Sequence, residues 1–80
     1  MQTKDDAQVS AANGPAVGSR FRHYKGGEYE VVENAIHEAT LEHLVIYRDA
    51  KGNVWARTID DWSAMVSVDG RSVPRFSLLQ

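Results

Sequence analysis

Short runs of β-branched and aromatic residues, separated by turn signals such as residues 25–27 (Lys-Gly-Gly) and 69–70 (Asp-Gly), fill the chain from Ser19 onward. Runs of this length, with alternating apolar and polar residues, are typical of strands joined by tight turns. The chain has 80 residues and no cysteine, so packing of these strands, and not disulfide bonds, has to stabilise the fold. The sequence therefore predicts one small all-β domain.

The strand-like runs lie at residues 20–24, 28–38, 43–49, 54–58, 66–68 and 71–76. The second run is long for one strand, and Glu33-Asn34 at its centre predicts a bulge or a bend. Residues 60–65 begin with the cap candidates Asp60 and Asp61 and contain Trp62, which predicts one short helical turn. Five or six short strands with this turn fit either a small SH3-like barrel or a strongly bent meander sheet.

The first part of the chain differs in composition from the rest. Residues 1–17 are polar and rich in small residues, with breakers at positions 13–15, and we expect them to form a flexible arm. Asp5 or Asp6 could cap a short helix over residues 5–12. Residues 18–80 are predicted to be a single domain. No run approaches the roughly 18 apolar residues of a transmembrane helix, so we expect a soluble, cytoplasmic protein without membrane contacts.

Histidines and carboxylates are concentrated in residues 35–49, which raises the question of a metal site. His37-Glu38 resembles the start of the zinc motif H-E-x-x-H, which needs a second histidine four residues after the first, on the same face of a helix. Leu41 occupies that position. In a helix, His37 and Glu42 would lie about 140° apart. The spacing therefore excludes a helical zinc site, and we predict neither a metal nor a cofactor.

A hairpin with residues 39–40 at its tip would place His37 opposite Glu42. A longer loop, which would oppose His37 with Leu44, remains open at this point. In the first register the carboxylate could orient the imidazole, so His37 and Glu42 are weak candidates for catalytic residues. The serine and threonine hydroxyls lie outside any nucleophile motif. A small hydrolase-like or metal-dependent enzyme is therefore kept as the alternative hypothesis.

A second cluster combines cationic residues with aromatic ones. Arginine side chains could bind a carboxylate or a phosphate between aromatic walls, so we predict a shallow ligand-binding site. The predicted site residues are Arg22, His23, Tyr24, His37, Trp55 and Arg57. The leading hypothesis is a non-catalytic binding module for a small anionic ligand, a peptide or a protein. The competing interpretation is that the aromatic residues fill the core while the arginines pair with acidic neighbours on a solvated face.

Small barrels can also bind single-stranded RNA by stacking bases on exposed aromatic side chains. The net charge of the chain is −2, which disfavours a nucleic-acid partner. A local basic stripe remains open, and its members would be Arg20, Arg22, Lys25 and Arg57. RNA binding is therefore the second alternative, and we expect the chain to be a monomer or a weak homodimer.

Several short motifs occur in the order typical of one bacterial family. They are Arg22-His23-Tyr24-Lys25-Gly26, Tyr29-Glu30-Val31, Ala35-Ile36-His37, Thr40-Leu41-Glu42, Val45-Ile46-Tyr47, Trp55-Ala56-Arg57 and Pro74-Arg75-Phe76. Over residues 17–76 the chain thus resembles the small bacterial Domain of Unknown Function 1653 family (DUF1653). The resemblance implies a compact, mainly β domain and brings no established reaction, substrate or cofactor. The sequence departs from the family pattern at Ala39, Thr58, Trp62 and Met65.

Overall fold

The computed structural model describes residues 14–79. The helix predicted over residues 5–12, and residues 1–13 of the predicted arm, lie outside this range. The described elements are β1 (Arg20–His23), β2 (Glu28–Ile36), β3 (His43–Arg48), β4 (Val54–Thr58), α1 (Ile59–Trp62), β5 (Met65–Val68), β6 (Arg71–Pro74) and β7 (Phe76–Leu78). The predicted all-β class with one helical turn is confirmed, with seven strands where five or six were predicted.

Five strands form one antiparallel sheet in the order β4-β3-β2-β1-β7, and β5 pairs with β6 in a separate ribbon. Within the described part of the chain, β4 and β7 each pair on one side only. The sheet bends but does not close into a barrel. Of the two predicted architectures, the bent meander sheet is therefore the one that the chain adopts.

The hairpin turns follow the turn signals of the sequence. Ile36 pairs with His43 at the end of β2, which is the shorter of the two registers considered above. In the β5–β6 ribbon, Val68 pairs with Arg71 across residues 69–70. Both turn residues have positive φ, 53° and 79°, as a two-residue hairpin with an Asp-Gly turn requires. In the β5–β6 ribbon the Asp-Gly turn therefore determines the strand register.

A bulge in β2 lies slightly earlier in the chain than predicted. The pairing with β3 shifts between Val31 and Glu33, so Val32 is the extra residue. Without the shift, the two-residue period of the strand would turn Glu33 to the face of Val31, which is 1% exposed. With the shift, Glu33 lies opposite Ile46 on the other face, and Asn34 turns inward. The bulge thus keeps a carboxylate out of the core, which explains why it does not lie at Glu33-Asn34.

The core lies on one face of the sheet, which we call the inner face. Its buried members are Val31, Val45, Tyr47, Trp62 and Phe76, with Phe21, Tyr29 and Ile59 packed against them. Trp62 stacks on Phe76 with ring centroids 3.8 Å apart, and both rings meet Tyr47 edge-on. Aromatic side chains bury a large area each, so a chain of this size can form its core from few residues.

The single turn of α1 carries Trp62 over the inner face. The helix is capped by Thr58, whose hydroxyl accepts a hydrogen bond from the Asp61 N–H. The predicted caps, Asp60 and Asp61, lie instead in the first turn, where carboxylates also interact favourably with the helix end. The cap falls on Thr58 because strand β4 continues to that residue and the chain turns directly after it. In the described range no helix is long and apolar enough to cross a membrane.

Ion pairs cover the opposite, outer face of the sheet. Glu28 binds Arg20 at 3.1 Å and Arg22 at 2.9 Å, and Arg48 lies 3.6 Å from Glu30. Exposed pairs of this kind contribute little to stability. Their position nevertheless matters, because the arginines of β1 lie on the face opposite Arg57, so the predicted basic stripe does not converge on one face.

Candidate functional site: an arginine and aromatic cluster on the inner face

Arg57 lies on the inner face and is held by three contacts. Its Nε donates a hydrogen bond to the Tyr47 hydroxyl at 3.4 Å, and its Nη1 donates to the Asp61 carboxylate at 3.0 Å. The guanidinium carbon lies 5.6 Å from the ring centroid of Phe76, within the range of a cation–π interaction. The side chain is 26% exposed. Arg57 is therefore fixed in position and still reachable from solvent.

A second guanidinium reaches the same carboxylate. Arg75 lies between β6 and β7, where its N–H donates to the Ala64 carbonyl and its own carbonyl accepts from the Tyr24 N–H. Its Nε donates to the backbone carbonyl of Asp61 at 3.0 Å, and its Nη2 lies 3.8 Å from an oxygen of the Asp61 carboxylate. Arg57 and Arg75 thus share one negative charge, which leaves this part of the inner face with an excess of positive charge.

His23 borders the two arginines and lies among aromatic rings. Its ring centroid is 4.6 Å from Tyr24, 5.0 Å from Phe76 and 6.4 Å from Tyr29. The Lys25 N–H donates to its Nδ1 at 3.2 Å, so in the neutral ring the proton lies on Nε2. His23 therefore offers one N–H donor beside a positively charged region.

The pKa of His23 is lowered from its ordinary value of 6.5, first by burial and then by the positive charges of Arg57, Arg75 and Lys25. As the pH falls through 6.5, the unfolded chain takes up the proton before the folded one does. We therefore expect the contribution of neutral His23 to stability to be fully present above pH 6.5. As the pH falls below 6.5, the free energy of unfolding should decrease. An NMR titration of the folded domain is expected to give a His23 midpoint below 6.5.

Two matched variants test how nearby positive charge lowers the pKa of His23. Arg57→Gln should move the His23 midpoint upward, because it removes a nearby positive charge. Arg48→Gln removes the same charge from the outer face and should leave the midpoint unchanged. A midpoint at or above 6.5 in the unmodified protein, or an equal response to both variants, would contradict the arrangement described above.

Trp55 lies beside Tyr47 on the inner face but is 51% exposed. Its Nε1 donates to the Asp49 carboxylate at 3.0 Å, and the same carboxylate accepts the N–H groups of Lys51 and Asn53. These bonds, led by the one from Trp55, lower the pKa of Asp49. Trp55 thus closes the β3–β4 turn with one edge and presents the rest of its ring to solvent.

Two shallow depressions flank this region. One has a volume of about 320 Å³ and lies between β1 and the β5–β6 ribbon. Its lining includes Arg22, His23, Tyr24, Val68, Val73 and Pro74. The other has a volume of about 390 Å³ and lies beside the β3–β4 turn, with Tyr29, Asp49, Lys51 and Trp55 in its wall. Both depressions are open to solvent. A ligand of this domain would therefore bind in a shallow surface depression and not in a deep enclosed pocket.

His37 and Glu42 have local roles in the β2–β3 turn. The His37 Nδ1 accepts the N–H groups of Ala39 and Thr40 at 3.2 and 3.3 Å. The Glu42 carboxylate accepts the Thr40 hydroxyl at 3.0 Å. Among the described residues, no hydrogen bond joins the imidazole to that carboxylate. The orienting contact on which the acid/base hypothesis depends is therefore not part of this arrangement.

The six predicted site residues do not converge on one point. Three lie on the inner face, namely His23, Trp55 and Arg57, and Tyr24 joins them through its contact with the His23 ring. Arg22 lines the depression beside β1, but its guanidinium pairs with Glu28 on the outer face. His37 follows the last residue of β2, at the opposite end of that strand from Glu28. Four of the six thus belong to the inner face or its border.

Arg75 is the member of this cluster that was not among the predicted site residues, although it occurs in the motif Pro74-Arg75-Phe76. Asp61 was expected only as one of the acidic neighbours with which the arginines could pair. Asp61 is close to Arg57 in sequence, but its contact with Arg75 spans 14 residues. Such a contact depends on how the β5–β6 ribbon returns to the sheet, which no local pattern specifies. In the described part of the chain, no group of three or more His, Asp or Glu could hold a metal ion.

Comparisons with known proteins agree with this architecture. Residues 19–78 match a family described as "Protein of unknown function (DUF1653)". Among solved structures, the chain is similar to a crystal structure of a DUF1653 protein from Bordetella bronchiseptica, with a TM-score of 0.73 and 23% identity, over 88% of this chain and 92% of that chain. At this identity the likeness concerns the fold. A search of curated proteins found no match.

Proposed function

Because this chain belongs to the DUF1653 family of proteins of unknown function, we propose a function from its own surface: a non-catalytic binding module for a small carboxylate or phosphate anion. The observation that carries the proposal is the pair of guanidinium groups, Arg57 and Arg75, that share the single carboxylate of Asp61. Anion binding would compensate the remaining positive charge.

The donors of Arg57 support this proposal. A guanidinium has five N–H donors, and the hydrogen bonds to Tyr47 and Asp61 use two of those on Arg57. Arginine binds carboxylate and phosphate oxygens through paired, charge-assisted hydrogen bonds. Because three contacts already hold the guanidinium in place, binding would cost little side-chain entropy. The Nε2–H of His23 adds a neutral donor beside this charge.

The aromatic surroundings limit what kind of anion fits. The half-buried rings of His23 and Tyr29 and the exposed ring of Trp55 lie on the same face as Arg57. These rings favour an anion attached to an apolar or planar body over a bare ion. The depression at Trp55 also contains the carboxylate of Asp49. We therefore place the anion on the arginine side of the cluster and the apolar body toward the rings.

The arrangement supports binding rather than catalysis. The Nδ1 of His23 is occupied by a backbone N–H, and among the described residues no serine or threonine hydroxyl hydrogen-bonds to this ring. A nucleophile with an adjacent base is the minimum for covalent catalysis. Binding without a reaction is thus the function that these contacts support best.

Inorganic phosphate and acetate are suitable probes, titrated separately into ¹⁵N-labelled protein and followed by NMR. We expect saturable shifts centred on Arg57, Arg75 and His23. Arg57→Gln should weaken binding by about tenfold or more, because it removes charge-assisted hydrogen bonds from the site.

The control variant for this titration is Arg22→Gln, which removes an arginine whose guanidinium lies on the outer face. Binding should be nearly unchanged in this variant. Shifts that spread over both faces, or an equal loss of affinity in the two variants, would show that the anions interact only with the general surface charge and would refute the proposed site.

A further inference from the structure

Strand β4 leaves one edge of the sheet open. In the described part of the chain it pairs with β3 on one side and has no strand on the other. Of the features that usually protect an exposed edge, its five residues include no proline and no lysine, and their one charged side chain, the inward-pointing Arg57, is paired with Asp61. Val54 and Trp55 are 53% and 51% exposed. We propose that this edge pairs with the same edge of a second copy of the chain, in an antiparallel β4–β4 contact centred on Ala56.

The hydrogen-bond pattern of the β3–β4 hairpin determines which backbone groups point outward. The Asp49 N–H donates to the Asn53 carbonyl at 2.9 Å, and hydrogen-bonded pairs recur at every second residue of an antiparallel ladder. Trp55 and Arg57 therefore direct their backbone groups toward β3. The residues between and beside them, including Ala56, direct theirs to the open edge.

A two-fold axis at Ala56 would pair most of these outward groups. Ala56 would face its own copy as a hydrogen-bonded pair, with the two Cα atoms about 5.5 Å apart. Val54 would lie opposite Thr58 of the second copy, so the N–H of Thr58 could donate to the carbonyl of Val54 in both directions. The small side chain of Ala56 allows close approach at the axis. The strand is thus self-complementary in its backbone register.

The side chains are complementary in the same register. Trp55 would lie opposite Arg57 of the second copy in a non-hydrogen-bonded pair, where Cα atoms approach to about 4.5 Å. An exposed indole beside a guanidinium forms a favourable cation–π pair. On the outer face, Val54 would contact Thr58 of the second copy, a pairing of two β-branched residues. Both faces of the contact therefore match a second copy of this chain.

The other edges fit a partner less well. β7 has only three residues, and β6 ends at Pro74, which cannot donate a backbone hydrogen bond. β5 is a four-residue strand in a two-stranded ribbon, which offers a less rigid template than the five-stranded sheet. The contact shares Arg57 and Trp55 with the proposed anion site, whereas Ala56, at its centre, lies on the outer face of β4 and takes no part in that site. Variants of Ala56 therefore test the contact without changing the residues that bind the anion.

Sedimentation velocity over a concentration series tests the proposal with the unmodified chain and Ala56→Pro. The proline removes an outward N–H while leaving the hydrogen bonds to β3 in place. We expect the chain to form a dimer at high concentration, and the proline variant to need about tenfold or more protein for half-association. A chain that stays monomeric to about 1 mM, or a dimer that is insensitive to the proline, would overturn the proposal.

Ala56→Cys provides a second readout that does not depend on the proline variant folding. The chain has no cysteine, so any disulfide in this variant joins two copies. The expected Cα separation at the axis suits a disulfide, and mild oxidation should give mostly cross-linked dimer. Ser77→Cys, on the other edge strand, serves as the control. Equal cross-linking of the two variants would refute pairing through β4, while phosphate binding measured on Ala56→Pro would remain a separate test of the anion site.

Discussion

Trp62→Ala is expected to destabilise the domain by about 3–5 kcal/mol and to leave most molecules unfolded at 25 °C. Trp62 is 5% exposed and stacks on Phe76 at 3.8 Å, with edge contacts to Phe21 at 5.2 Å and Tyr47 at 5.1 Å. Removing the indole takes away a partner of each of these rings. Domains of this size have a free energy of unfolding of only roughly 5 kcal/mol, so the expected loss is close to the total stability of the domain.

The second tryptophan of the chain is the matched control for this experiment. Trp55→Ala removes the same number of atoms from a residue that is 51% exposed, and we expect a loss below about 1.5 kcal/mol. Urea unfolding followed by circular dichroism measures both variants on one scale. Similar losses for the two tryptophans would mean that α1 does not seal the core in solution.

Val31→Ala is expected to lower the free energy of unfolding by about 2 kcal/mol. Val31 is 1% exposed and lies opposite the core residue Tyr47, so the missing methyl groups leave a void against aromatic rings that cannot easily move. The same urea titration measures this loss, and the slope of the transition should stay constant, since the surface exposed on unfolding hardly changes.

Val32→Ala tests which of the two adjacent valines of β2 faces the core. Val32 is the extra residue in β2 and is only partly buried, so its truncation should cost less than about 1 kcal/mol. A larger loss for Val32→Ala than for Val31→Ala would place Val32, and not Val31, in the core and would contradict the observed pairing of Val31 with Tyr47.

Several local features could be predicted because their causes are local. The β2–β3 hairpin forms in the shorter register predicted for it, with the His37 N–H bonded to the Glu42 carbonyl at 2.9 Å. The Thr40 hydroxyl caps this turn, since it accepts the Glu42 N–H at 3.2 Å. Leu41 completes this turn with a φ of 63°. That conformation is unfavourable for leucine and gives no signal in the sequence.

Other features could not be predicted because they depend on distant parts of the chain. The amide of Asn34 donates to the Pro15 carbonyl at 2.7 Å across 19 residues, so the bulge and the inward turn of Asn34 are coupled to a segment that the sequence suggested was an arm. Arg22 pairs with Glu28 on the outer face, and Arg57 pairs with Asp61 on the inner face. Both pairs are local in sequence, and only the faces on which they lie, which separate two arginines that the sequence placed in one site, depend on the sheet. Side-chain direction depends on register, and register is a property of two strands.

The sequence by itself determined the β class, the turns and most of the strands, because periodicity and turn chemistry act over a few residues. The tertiary structure decided that the sheet stays open, that Arg75 joins Arg57 at Asp61, and that β4 is an edge strand of the sheet. These outcomes depend on long-range packing of the β5–β6 ribbon and of residues 14–18 against the sheet, which no local pattern encodes.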